Sequence, residues 1–358
     1  MIEIDFALLR QIGLTHTIAA QFHQLHQLHQ LHQFNDDEAQ LVRITEIQRD
    51  WITVHDGHAE FRARVLPALQ APHNAQLAVG DWVLSATHAH DERWLCALVP
   101  PTNHIARRGN DGRTQRLVSN VDTALLVMGL DHDFNPRRME RYLAIVHSAG
   151  VAPVVVLSKA DIGDDVAPRV AELRQRLPAG TPLVAVVGNS DEAARQLAPW
   201  LGAGQTLVML GTSGAGKSTL TNTLTQAGQR VGGVRKGDGR GRHTTTARSL
   251  HRCADGACII DTPGLRSWQP DADEASLAAA FEDIDSLAAQ CQFRDCKHGA
   301  EPGCAVRDVV DADRLRNYHK LLREAGRSRQ TPLDRIAEVA KWKVMQRAAQ
   351  VRAKNRGG

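Results

Sequence analysis

Apolar residues change their spacing along the chain, and each change marks a different kind of element. Over residues 37–107 they fall in short alternating or wholly apolar runs: LVRITEIQRD, WITVHDGHAEFRARV, GDWVLSAT and WLCALVP. Runs this short with a period of two predict strands, and Asp56-Gly57 between two of them predicts a hairpin turn. The pattern fits a small antiparallel barrel, with an OB-fold as its natural form and another small barrel as the alternative. From about residue 118 the texture becomes strand and helix in alternation. Strands are predicted at TALLVMGL, APVVVLS, PLVAVV, QTLVMLG and ACIID, with helical stretches such as RRMERYLAIVHSAG and VAPRVAELRQRL between the first four. That alternation predicts a parallel α/β sheet. After about residue 275 strands cease and helical segments return at ASLAAAFEDIDSLA, DADRLRNYHKLLREAG and DRIAEVAKWKVMQRAAQVRAK.

The tract QFHQLHQLHQLHQ at 21–33 stands apart, with His23, His26, His29 and His32 at every third position. On a helix that spacing spirals around the axis, so the imidazoles share no face, and a tolerated repeat is a simpler reading than metal capture. The expected organisation is a low-complexity extension at 1–36, an OB-fold at 37–108, an α/β unit at 109–275 and a mainly α module with a basic helical tail at 276–358.

Composition narrows the possibilities. The chain has 358 residues, of which 42% are hydrophobic, enough for several buried cores and too many for wholesale disorder. Net charge is only +3, compatible with nucleic acid without demanding it, and 4% aromatic content leaves few rings for stacking on bases. No apolar run reaches the length of a membrane span, and the first residues lack the features of a secretory leader. A cytoplasmic protein with no membrane partner is therefore expected.

The sharpest motif is Gly211-Thr212-Ser213-Gly214-Ala215-Gly216-Lys217-Ser218, followed by Thr219. It fits GxxxxGK[ST] between a strand and a helix, the context a phosphate loop requires. Glycines let backbone N–H groups curl around phosphates, and the helix N-terminus adds a favourable dipole. Lys217 should reach the β- and γ-phosphates, and Ser218 should ligate Mg²⁺. Asp261-Thr262-Pro263-Gly264 follows the strand ACII. There a carboxylate suits Mg²⁺, and the Gly264 N–H suits the γ-phosphate. Between these motifs lies a glycine-rich basic stretch ending in Gly239-Arg240-Gly241-Arg242-His243 and three threonines. Its arginines read either as a solvated loop or as contacts for RNA phosphates.

Ser158-Lys159-Ala160-Asp161 follows the strand APVVVL and is similar to the guanine-reading pattern NKxD. A carboxylate at Asp161 can accept two hydrogen bonds from the N1–H and N2–H₂ edge of guanine, which adenine lacks. The stem of Lys159 can pack over the base. Ser158 stands where asparagine is usual, and its shorter reach predicts weaker nucleotide binding. Alone, the tetrapeptide could equally be a strand-to-helix turn. What makes it informative is order: it precedes the phosphate loop by about fifty residues, whereas ordinary GTPases carry it last. Rotating the chain order leaves the same sheet when the original termini lie close together. Cys291, Cys296, His298 and Cys304 supply three thiolates and one imidazole, a full tetrahedral set for structural Zn²⁺. Cys96, Cys253 and Cys258 lie in or beside strand-like runs and read as core residues.

Together GTSGAGKS, GRGRHTTT, DTPG, the early SKAD and the C-x4-C-x-H-x5-C knot resemble the ribosome small subunit-dependent GTPase A family, RsgA. The resemblance spans about residues 37–325. It implies an N-terminal OB-fold, a circularly permuted G domain and a C-terminal zinc-binding domain. It implies GTP, Mg²⁺ and Zn²⁺ as ligands, the small (30S) ribosomal subunit and its rRNA as partners of a monomer, and hydrolysis stimulated by that subunit. Besides Ser158, Val186-Val187-Gly188 departs from the Ser-Ala character expected of a base-contacting loop. Leu265 occupies the place where many GTPases carry a water-positioning glutamine, and the resemblance makes His243 the candidate for that role, since an imidazole can hydrogen-bond water. Two other classes also fit the phosphate loop: a kinase or ATPase acting on a small molecule, and a non-hydrolysing RNA-binding protein.

Overall fold

The computed structural model describes residues 4–27, 39–48, 51–70, 76–87, 92–108, 114–163, 165–225, 248–262 and 274–329. The chain opens with two helices, α1 (Phe6–Arg10) and α2 (His16–Gln27). Asp5 caps α1 by accepting from the Leu8 N–H at 2.9 Å. Leu9, Ile12, Leu14, Ile18 and Phe22 are buried, so the segment read from sequence as an extension contributes to the core. His23 points to solvent, while His29 and His32 lie outside the described residues.

Next come β1 (Gln40–Ile47), β2 (Ile52–His55), β3 (Glu60–Val65), the single turn α3 (Pro67–Gln70), β4 (Trp82–Thr87) and β5 (Arg93–Leu98). β1 pairs with both β2 and β4, which closes the ring in the order β1-β2-β3-β5-β4. All pairs are antiparallel except β3–β5. That closed five-strand arrangement is the OB-fold expected from the sequence. The Asp56 carboxylate accepts from the N–H groups of His58 and Ala59, both at 2.8 Å, and so fixes the β2–β3 turn. Val42, Ile44, Val54, Ala63, Val83 and Leu95 fill the barrel.

A ribbon of β6 (His104–Arg108) and β7 (Thr114–Ser119), too short and polar to stand out in the sequence, links the barrel to the next layer. There follow β8 (Thr123–Gly129), α4 (Pro136–Ser148), β9 (Ala152–Ser158), α5 (Val166–Arg174), β10 (Leu183–Ala185), α6 (Asp191–Leu197), β11 (Thr206–Leu210), α7 (Lys217–Thr225), β12 (Ser249–Arg252) and β13 (Cys258–Asp261). Strands lie in the order β10-β9-β8-β11-β13-β12. All pairs are parallel except β13–β12. β8 and β11 are buried along their whole length, as strands covered on both faces must be. β12 also pairs with β1 through Glu46 and Ser249, so barrel and parallel sheet run on as one.

Arg43 on β1 binds the layers together. It is fully buried and donates to the carbonyls of Ile12, Gly80 and Asn120, which belong to the helical opening, the barrel and the linker before β8. The C-terminal module is α8 (Glu274–Ala280), α9 (Glu282–Ala288) and α10 (Ala312–Arg329). It docks on α4 through buried charge. Glu140 of α4 accepts from Arg314 at 2.8 Å and from Asn317, and Arg314 also grips Asp283 at 2.6 and 2.8 Å. Arg137 pairs with Asp313 at the rim. The basic tail lies outside the described residues.

Candidate nucleotide site and candidate zinc centre

The chain runs from β8 outward to β9 and β10, then returns to β11 on the other side of β8 and continues to β13. The carboxyl ends of β8 and β11 therefore flank a topological switch point, where open α/β sheets leave a crevice for ligands. The phosphate loop 211–216 emerges from β11 into that crevice, and α7 starts at Lys217. A Cβ at Gly211 would lie 2.4 Å from the Val127 carbonyl oxygen, so β8 leaves no room for a side chain there. Gly216 has φ +90°, in the left-handed region, and a Cβ there would lie 3.2 Å from Ser158 Oγ.

That approach is the central observation at the site. Ser158, at the end of β9 and 1% exposed, donates its hydroxyl to the Ala215 carbonyl at 2.6 Å. The two motifs, reversed in chain order, meet here. Ser158 thus ties the turn over residues 158–161 to the phosphate loop. Lys159 takes φ +61°, and its ammonium donates to Asp131 at 2.7 Å, leaving its stem along the rim. Burial opposes it, but the hydrogen bond from Lys159 holds the Asp131 carboxyl below its usual range. Asp161 is exposed at the mouth.

Lys217 is 6% exposed and donates to the carbonyls of Gly211 and Thr212 at 2.9 and 2.8 Å, so its ammonium lies inside the curl of the loop. Burial lowers its pKa, against the attraction of Asp261 and Asp133. Asp261 ends β13, and its Oδ1 is buried with no hydrogen-bond partner among the described residues. Burial raises its pKa, Lys217 opposing. A buried orphan acceptor beside an ammonium and the exposed Ser218 hydroxyl fits a hydrated divalent cation. Thr219, on the first turn of α7, is exposed. His243 and Gly264 lie outside the described residues.

Asp133, which sequence reading missed, belongs to this site. It accepts from Thr212 Oγ1 at 2.7 Å and the Gly129 N–H at 3.2 Å, and it pairs with Arg138 of α4 at 2.7 Å. Acids packed directly after a strand end, as in Asp131-His132-Asp133, were the available clue. Val186 is buried, and its carbonyl accepts from the Ala160 N–H, which holds the Val186-Val187-Gly188 loop beside the turn over residues 158–161.

Cys291, Cys296, His298 and Cys304 lie between α9 and α10, with their ligand atoms all within 4.8 Å of one another. His298 Nδ1 is 3.6 Å from the sulfurs of Cys291 and Cys304. A tetrahedron with Zn–S about 2.3 Å and Zn–N about 2.0 Å has edges of about 3.5–3.8 Å, so the set fits Zn²⁺. Backbone N–H groups of His298 and Arg307 point at the sulfurs of Cys296 and Cys304, which favours thiolates.

Residues 98–271 match the family model described as RsgA GTPase. The small ribosomal subunit biogenesis GTPase RsgA of Xanthomonas oryzae pv. oryzae (strain MAFF 311018) is 42% identical over 313 residues, covering 84% of this chain and 85% of its own. That of Xanthomonas axonopodis pv. citri is 43% identical over 314 residues, with the same shares. Among solved structures, YjeQ from Thermotoga maritima superposes with a TM-score of 0.58 at 21% identity, covering 80% of this chain and 98% of that one. YloQ, described as a circularly permuted GTPase, gives 0.57 at 22% identity, covering 82% and 97%. At such identities the structural likeness speaks for fold.

Proposed function

Because the chain belongs to the RsgA GTPase family, we propose that it hydrolyses GTP and acts in biogenesis of the small ribosomal subunit, as a monomer that binds the subunit and its rRNA and whose turnover the subunit stimulates. The observation that supports this best is the 2.6 Å hydrogen bond from Ser158 to Ala215, which joins a base-reading turn and a phosphate loop of reversed order into one site. In this reading Asp161 accepts from the guanine edge and the Lys159 stem covers the base. Backbone N–H groups of 212–216 and Thr219 face the phosphates. Lys217 exchanges its two loop carbonyls for phosphate oxygens. Ser218 and Asp261 hold Mg²⁺, whose charge offsets that developing on the phosphates. Gly264 offers its N–H to the γ-phosphate, and His243 orients the attacking water. Zn²⁺ on Cys291, Cys296, His298 and Cys304 is structural.

GTP turnover with and without purified small subunits, on wild type and His243→Ala, tests the reading. Stimulation by the subunit with GTP and not with ATP is expected. Its loss in the variant with GTP binding kept would give His243 its role. Turnover with ATP would favour the small-molecule kinase or ATPase, and binding without turnover the RNA-binding protein.

A further inference from the structure

The loop between β8 and α4 touches both halves of the nucleotide site. Its Asp133 accepts from Thr212 of the phosphate loop, and its Asp131 accepts from Lys159 of the turn over residues 158–161. The Asp131 carboxylate is built into the fold, with its side chain only 15% exposed. Oδ1 accepts from the Asp133 N–H at 3.1 Å. A Cβ at Gly129 would lie 2.5 Å from that oxygen, so the last residue of β8 leaves the carboxylate its space. Oδ2 accepts from the Lys159 ammonium at 2.7 Å, and the exposed ring of His132 approaches the same oxygen at 3.3 Å. Arg169 of α5 donates to the carbonyls of Leu130 and Asp131 and so fixes the backbone of the loop.

The backbone around Lys159 is pinned as well. The Leu130 N–H donates to the Ser158 carbonyl at 2.9 Å, and the Ala160 N–H donates to the Val186 carbonyl at 3.2 Å. Between them Lys159 takes φ +61°, a region that residues other than glycine enter where their surroundings enforce it. A free lysine has a long flexible stem, and a ligand that packs on it must remove that freedom on binding. A stem already anchored at its charged end has less to lose, and the ligand binds more tightly for it.

We propose that Asp131 is a positioning residue for guanine-nucleotide binding: it holds the Lys159 ammonium on the protein's own carboxylate, so that the aliphatic stem is in place before the base arrives. Asp131 acts through Lys159 rather than on the ligand itself. The inference rests on the GTP reading above and adds to it a residue outside the contiguous motifs.

The test is a double-mutant cycle on the full-length protein: Asp131→Asn, Lys159→Met and the two together. Binding is read by titration with a fluorescent, non-hydrolysable GTP analogue, and turnover by steady-state GTP hydrolysis with purified small subunits. Asp131→Asn keeps the size of the side chain and removes its charge; Lys159→Met keeps an unbranched apolar stem and removes the ammonium. Each single variant should weaken binding roughly tenfold, the loss of a charge-assisted hydrogen bond. The double variant should be no more than about twofold weaker than either, because both changes break the same bond. KM should rise with kcat and the thermal midpoint unchanged. An Asp131→Asn protein that binds as tightly as wild type would overturn the proposal. So would a tenfold loss from Asp131→Asn that persists in the Lys159→Met background, which would place its action elsewhere, or a fall in kcat together with the thermal midpoint, which would make its part purely structural. Wild type that binds no guanine nucleotide would sink the GTP reading and this inference with it, whereas wild type that binds beside an unaffected variant would sink the inference alone.

Discussion

Ser158 shows how far across the fold a single hydroxyl can act. Its side chain is shorter than that of asparagine, yet it reaches the Ala215 carbonyl, 57 positions away. No spacing rule could reveal that partner, because it depends on β8 lying between β9 and β11. Removing the hydroxyl would leave a buried carbonyl unpaired, so Ser158→Ala should weaken GTP binding about tenfold. A fluorescent-nucleotide titration would check this, and unchanged affinity would return Ser158 to a passive role. Asp133 acts on the other side of the loop. Thr212→Val and Asp133→Asn should each raise KM for GTP several-fold with kcat little changed. Because both break one hydrogen bond, the double variant should cost no more than the worse single one. Lys217, Asp161 and Asp261 stand out in the sequence because contiguous motifs single them out, and the roles proposed for them rest on those motifs. Asp133 was not, since its role comes from the fold.

At the scale of elements, strong periodicity translated directly. The buried strands β8, β9 and β11 and the amphipathic α4 lie where apolar runs predicted them. Two stretches escaped. α2 is written in a Gln-Leu-His repeat whose composition suggests a linker, yet Ile18 and Phe22 just before and within it anchor the helix. The β6–β7 ribbon has too few apolar residues to announce itself. α4 also carries a titration. His147 in its last turn has a buried Nε2 with no partner among the described residues, and burial lowers its pKa from 6.5. The unfolded chain takes up a proton near 6.5 while the folded residue stays neutral to lower pH. Stability is therefore full above that value and falls as pH drops through it. Thermal unfolding at about pH 7.5 and about pH 5.5 should differ less in His147→Gln than in wild type.

For the molecule as a whole, cohesion rests on a few polar keystones. Arg43→Met would strand the buried carbonyls of Ile12 and Asn120 and leave that of Gly80 only its bond from Asn120 Nδ2, at a cost of about 2 kcal/mol or more in urea unfolding. A loss below about 1 kcal/mol would show that the layers hold without it. With Zn²⁺ on the Cys3His set as proposed, a chelator should loosen α10 from α4, read as faster amide exchange over 312–325, while GTP affinity stays within about twofold, because the knot lies outside the nucleotide crevice. The permuted order has a further consequence, for synthesis. Within the parallel sheet β8, β9 and β10 leave the ribosome first, and the edge of β8 that β11 will cover stays bare until residue 210 has emerged. At roughly 5–20 residues per second that is a wait of several seconds for an unpaired edge on a mostly apolar strand. A nascent chain of this kind should depend on chaperones more than an unpermuted relative, in which the central strand is made first.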